Sequence, residues 1–428
     1  MPSAAEAPAR LSITRLGAAG DGLAQWPDGT PAFVPGTLPG ETVLARPAGR
    51  RGPGRLGKVA TILDPAPDRV APPCPHAGTC GGCVLQHAGA ARAAAFKTGL
   101  LADALARAGF PPRLGTLRTV PAESRRRLDL AVRRQGGATR LGLHAAGAPL
   151  VIELQACPVA RPEITSLFAP LRAVLGRIEG LRREGSVLIN HLDNGPDLLL
   201  RTDLPLSLAD RQILIAFARA AGLPRLSWAW KDGPAETVAQ WQPPSLRVAG
   251  GGTVLPPPGA FLQAAAEGEA AIVAAVLAAL PDRLAARARL IELFAGLGSL
   301  SFALAGRARV AAFEGDAEAV AALRRAAAGH RIEAVRRDLA RQPLQPAELR
   351  GAAAVVLDPP FAGAGPQIPP LVASGVPLIV YVSCNPAALA ADLAPFRAAG
   401  YDLAGAVPVD QFLWSAQIES VITLRRPG

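Results

Sequence analysis

Three of the five cysteines in this 428-residue chain, Cys74, Cys80 and Cys83, crowd into the ten-residue stretch CPHAGTCGGC. Thiols grouped in this way bind metal or do chemistry wherever reducing conditions disfavour disulfides. The other two stand apart, Cys157 in LQACPVA and Cys384 in VSCNP. Cys384 closes the apolar run LIVYVSC and is followed at once by Asn385-Pro386. A cysteine in that position is either a small buried filler or a nucleophile. Four acids invite the same scrutiny: Glu314 in AAFEGD, Asp338 in RRDLA, Asp358 in LDPPF and Glu419 in AQIES. The two prolines after Asp358 make a stiff extended turn that holds its carboxylate outward. Glu419, at the start of a closing strand, is either an exposed strand-end acid or a general base.

These side chains need a scaffold, and from about residue 256 the chain supplies one. Apolar segments ARLIELFAG, ARVAAFEGD, RIEAVRRD, AAAVVLDPP and VPLIVYVSC alternate with helical stretches. Such a pattern predicts a parallel sheet covered on both faces, with its ligand site beyond the C-terminal ends of the strands. Each candidate except Glu419 falls at such an end. Gly296 and Gly298 lie in the turn after the first strand, where a backbone without Cβ can approach a ligand at a helix start. The third glycine of a dinucleotide fingerprint is missing. An acid at Glu314 can accept both hydroxyls of a ribose, and Asp338 can meet an adenine edge. Together the three strand ends resemble the S-adenosylmethionine site of class I methyltransferases.

With a methyl donor in place, a cysteine at the fifth strand end has a purpose. Carbon-5 of uracil is too weak a nucleophile to take a methyl group unaided. A thiolate added at carbon-6 turns the ring into an enolate, and a base must later remove the carbon-5 proton. Cys384 and Glu419 suit those two tasks. Asp-Pro-Pro-Phe also looks like the tetrapeptide of enzymes that methylate exocyclic amino groups of bases, which leaves a second reading open.

Length implies more than one domain. Residues 1–70 alternate apolar and polar positions between Gly, Pro and Asp-Gly breaks, predicting a small β-barrel of the kind that grips oligonucleotides. Residues 71–255 form a mixed middle region whose helix at about 90–110 could pack on the last domain, 256–428. The formal net charge is +11, carried by arginine with only three lysines, which suits a polyanionic partner such as RNA. The longest apolar run, AAIVAAVLAAL, is shorter than the roughly 20 residues a bilayer needs. With no apolar core of a signal peptide at the start, a cytoplasmic monomer away from membranes is the expectation.

The ordered series GDGLA…FVPGTLPGE, CPHAGTCGGCVLQH, FLQA, LFAGLGS, LDPPFAGAG, VSCNP and QIES resembles the RNA 5-methyluridine methyltransferases, in particular their iron–sulfur branch. The resemblance covers nearly the whole chain. It implies a Rossmann-like, class I S-adenosylmethionine-dependent domain, a TRAM-like N-terminal barrel and a central α+β iron–sulfur region. It further implies Cys384 as nucleophile and Glu419 as base. Gln263, Phe294, Ser299, Glu314, Asp338 and Asp358 would line the cofactor and target-base pocket, and Phe261 would either wall it or belong to the core. Cys74, Cys80, Cys83 and Cys157 match the ligands of a structural [4Fe–4S] cluster, although four thiolates also suit zinc. Arg125, Arg126 and Arg127 match a basic strand that contacts RNA phosphate, with a solvated charge run as the alternative. The branch is similar to enzymes of 23S rRNA, and tRNA is the other candidate. Two departures stand out: Phe361 where an arginine is usual, and Gln417 where a histidine is. Ser299 and Asp338 also replace asparagines. Phe361 and the missing histidine motivate a non-catalytic iron–sulfur RNA-binding protein as the alternative, but the intact Cys384, Glu419 and strand-end acids argue against it, and an enzyme is the expectation.

Overall fold

The computed structural model describes residues 7–427, so the first six residues of the expected barrel segment lie outside the described residues. Three sheets dominate it. Six strands between Ala9 and Asp64 form the first, with the two long strands Thr42–Arg51 and Gly54–Asp64 paired antiparallel. Leu11, Ile13, Trp26, Val34 and Val43 fill its small core. The second sheet has seven strands, Arg127–Gln135 and Glu184–Leu192 among its inner ones, and edges at Val151–Glu153 and Glu236–Gln240.

The third sheet carries eight strands in the order Ile332–Arg336, Arg309–Glu314, Arg289–Leu293, Ala354–Leu357, Leu378–Ser383, Glu419–Arg425, Asp402–Asp410 and Arg118–Thr119. The first five are mutually parallel, and Glu419–Arg425 runs antiparallel to both neighbours. The period of two decides which side chain goes where. Leu290, Val356, Val380 and Val382 point to one face, against Ile272, Val276, Phe302 and Leu323. Ile291, Val355, Ile379 and Tyr381 point to the other, against Leu101, Leu105, Leu393 and Phe396. Burial on both faces is why these strands read as unbroken apolar runs.

The middle of the chain contributes to two bodies. Helix Ala90–Arg107 lays Leu101 and Leu105 into the core of the third sheet, and Arg118–Thr119 extends that sheet at its edge. Lys97 of this helix, fully buried, donates to Asp410 Oδ1 at 2.5 Å and to the Phe412 carbonyl at 2.8 Å. Sequence order reverses between Arg289–Leu293 and Ala354–Leu357, the crevice where ligands bind in open α/β sheets. No helix among the described residues is long and apolar enough to cross a membrane.

Candidate active site

The antiparallel register that sets Ser383 opposite Ser420 brings the next pair, Cys384 and Glu419, side by side at one end of the sheet. Cys384 is half-buried and lines a cavity of about 830 Å³, whereas Glu419 is only 3 % exposed. After Cys384 the side chain of Asn385 caps helix Pro386–Ala398, accepting from the Ala387 and Ala388 amides. Its Nδ2 donates to the Phe361 carbonyl at 2.8 Å, which ties the cysteine turn to the Asp-Pro-Pro-Phe turn.

Two glutamines link the two carboxyl groups of the site. Gln263 Nε2 donates to Asp358 Oδ2 at 2.9 Å, and Gln411 Nε2 donates both to Gln263 Oε1 at 2.7 Å and to Glu419 Oε2 at 2.8 Å. Burial pushes the Glu419 carboxyl up, the Asp358 charge adds to this, and the Gln411 hydrogen bond opposes it. Asp358 is likewise raised by burial, against the pull of its bond from Gln263. Burial and the neighbouring carboxyls of Glu419 and Asp358 push the Cys384 thiol up to about 12. The cysteine therefore rests as a thiol beside two groups that hold protons unusually well.

The other strand ends gather at the glycine turn. Glu314 accepts from the amides of Gly296 and Asp316, each at 2.8 Å. A carboxylate has about four lone-pair sites, so both oxygens keep capacity for hydroxyl donors. Phe294 sits at φ 62°, a left-handed conformation that costs on the order of 1–3 kcal/mol and turns the chain sharply at the strand end. Ser299 is half-buried just before helix Ser301–Ala305. Asp338 is exposed, bonds the amides of Ala340 and Arg341, and stands 3.5 Å from the Arg341 guanidinium.

Cys74, Cys80, Cys83 and Cys157 are all half-buried and line the same cavity as Cys384. The loop bearing the first three is pinned to the hairpin strand Ala138–His144 through the Gly81 amide and the His144 carbonyl. Its downstream end reaches the catalytic unit, where the amides of Val84 and Leu85 both donate to the Trp414 carbonyl at 2.9 Å. Burial, and the mutual repulsion of the four sulfurs, push the Cys83 thiol up to about 11 despite a bond from Gln86. Among the described residues no three His, Cys, Asp or Glu side chains converge on a single-ion site.

The three consecutive arginines divide. Arg126 is buried, ion-paired with Glu269 and bonded to the Gln263 carbonyl at 3.1 Å, so it braces the FLQ segment and is turned away from any phosphate. Arg125 and Arg127 line the cavity, and Arg127 stacks at 5.5 Å on the exposed ring of Phe261. That exposure separates Phe261 from the core. Phe361 and Gln417, the two departures, are exposed and line the cavity too. Sequence reasoning missed Gln411, the Arg126–Glu269 pair and the Lys97–Asp410 pair. Lys97 alone offered a signal, as one of three lysines in an apolar helix.

Comparison with known proteins identifies the family. The family model described as tRNA (uracil-5-)-methyltransferase matches residues 257–427. A Rhizobium meliloti protein described as an uncharacterized RNA methyltransferase is 39% identical, over 97% of this chain and 99% of its own length. The 23S rRNA (uracil(1939)-C(5))-methyltransferase RlmD of Halomonas elongata is 34% identical, over 97% of this chain and 89% of its own. Among solved structures, the Pyrococcus abyssi tRNA (uracil-54, C5)-methyltransferase in complex with S-adenosyl-L-homocysteine shares the fold at a TM-score of 0.71, with 18% identity over 97% of this chain and all of that one. The chain therefore belongs to the RNA uracil-C5 methyltransferase family, and it is an enzyme of that class.

Proposed function

We propose that the protein forms 5-methyluridine in a structured RNA, with 23S rRNA favoured over tRNA, through a covalent bond between Cys384 and carbon-6 of the target uracil. The observation that carries this reading is the pairing of a cavity-facing thiol with a buried carboxyl on the adjacent strand. Cys384 Sγ adds to carbon-6 as its proton passes to the Asp358 carboxylate, which leaves Glu419 free for the later step. Negative charge then resides on the carbon-5 enolate. S-adenosylmethionine, when bound, supplies the electrophilic methyl group. Glu314, Phe294, Ser299 and Asp338 surround the place where its nucleoside would lie, and the spare lone pairs of Glu314 suit a ribose. Afterwards Glu419 takes the carbon-5 proton, the carbon-5–hydrogen electron pair forms the ring double bond, and the sulfur leaves with the electrons of its bond to carbon-6.

The four half-buried cysteines fit a [4Fe–4S] cluster. They line one cavity, and four thiolates are the ligand set such a cluster takes. Its role in this reading is structural, joining the 74–83 loop to the region before Cys157. The N-terminal sheet acts as a TRAM-like RNA-binding module, and Arg15 extends the basic lining of the cavity onto it. A flipped-out nucleotide would enter between Phe361, Asn385 and Gln417.

The test is transfer of labelled methyl from S-adenosylmethionine to transcripts of 23S rRNA and tRNA, followed by nucleoside analysis. Label in 5-methyluridine, in the ribosomal transcript, is expected. Label in an amino-methylated base would replace this reading by the Asp-Pro-Pro-Phe alternative, and absence of label from any RNA would reject both.

A further inference from the structure

We infer that Gln411 is a positioning residue for the release step, holding one oxygen of Glu419 as a fixed proton acceptor beside Cys384. The inference rests on Glu419 being the base. Gln411 is 4 % exposed. Its amide nitrogen meets two oxygens, Gln263 Oε1 and Glu419 Oε2. The polarity of this relay is set from its far end. Because Gln263 spends its Nε2 on Asp358, its oxygen faces Gln411, and the amide group of Gln411 must present N–H there. The second N–H then points at Glu419, whose Oε2 has no choice but to accept.

Two further observations separate positioning from mere packing. The Oε1 of Gln411 is buried and finds no partner. An orphaned acceptor is unfavourable, so a side chain retained only to fill space here would be apolar. Room for the glutamine has also been made. Gly268, inside helix Ala266–Ala279, faces it so closely that an added Cβ would lie 2.6 Å from the Gln411 Cβ and 2.9 Å from its Oε1. The backbone at 411 is held in turn by Lys97, which grips Asp410 and the Phe412 carbonyl on either side.

The groups acting on Glu419 are few. Asp358, at the end of the strand beyond Cys384, disfavours its charge, Gln411 favours it, and Cys384 faces it from the adjacent strand. Glu269, paired with Arg126, acts on Asp358 one step further away. Removing the Gln411 amide takes away the donor that favours the ionised form of Glu419 and aims it, while Asp358 keeps its bond from Gln263.

Gln411→Leu separates the steps. In RNA carrying 5-fluorouridine at the target, carbon-5 has no proton to lose after methyl transfer, so trapping reports only the earlier steps. The variant should trap this RNA at the wild-type rate. On ordinary RNA its turnover should fall by about 10-fold or more, the loss expected for a hydrogen bond to a charged group. The methylated covalent complex should accumulate, and the ascending limb of the kcat–pH profile should move to higher pH. Turnover at the wild-type rate with an unmoved profile would overturn the inference, as would equal loss of turnover and trapping. Failure of the wild-type enzyme itself to trap the fluorinated RNA would instead remove the Cys384 reading on which the inference stands.

Discussion

Cys384 and Glu419 are neighbours across an antiparallel strand pair, placed there by the register that matches Ser383 with Ser420. Thirty-five positions separate them in the chain, yet the strand ladder that ends one residue short of Cys384 brings them together. Glu419 opens its strand, and Cys384 follows the last paired residue of the neighbouring one. What varies between their ionisation states is the buried electrostatics around them.

That electrostatic strain has a pH signature in the fold. Glu292, in strand Arg289–Leu293, bonds Ser301 and is 2 % exposed. Burial, with added repulsion from Asp358 and Glu314, pushes its carboxyl from 4.5 up to about 8. A folded-state value above the unfolded one means the native protein binds the extra proton. Its contribution to stability is full below about 4.5 and is lost as pH rises through about 8. Urea unfolding of Glu292→Gln should show a flatter decline between those limits than the wild type, and parallel declines would count against it.

Lys97 and Asp410 form a buried ion pair between helix Ala90–Arg107 and the strand leading to Gln411. Lys97→Met strands the Asp410 carboxylate in the interior, an arrangement that typically costs about 3–5 kcal/mol. Denaturant midpoints should drop accordingly. Lys97→Met combined with Asp410→Asn should recover part of the loss, since no buried charge is then left alone.

The architecture of the catalytic sheet was legible because burial on both faces writes itself as apolar runs, and the strand-end acids stood at the breaks. The place of Cys384 in the fold was legible for the same reason: an apolar strand ended next to a sulfur. Arg126 was misread as a phosphate contact because a run of three arginines looks solvated until the partner, Glu269, is brought in from 143 positions away. Gln411 was invisible for a related reason. A glutamine in a loop carries no periodicity, and its meaning lies in two partners and one facing glycine that only the fold assembles.

The cysteine set makes a prediction that does not depend on turnover. Anaerobic reconstitution with iron and sulfide should give four irons and four sulfides per chain with the broad visible absorption of thiolate-bound iron. Cys83→Ser should lose most of both. One tightly held zinc in place of iron would assign the site to a mononuclear centre.

The covalent bond at Cys384 is the centre of the account. RNA bearing 5-fluorouridine at the target, incubated with enzyme and S-adenosylmethionine, should yield a denaturation-resistant complex. Proteolysis and tandem mass spectrometry should place the methylated fluoronucleotide on the sulfur of Cys384, and Cys384→Ala should form no complex. A nucleotide found on another residue, or an undiminished complex with the alanine variant, would contradict it.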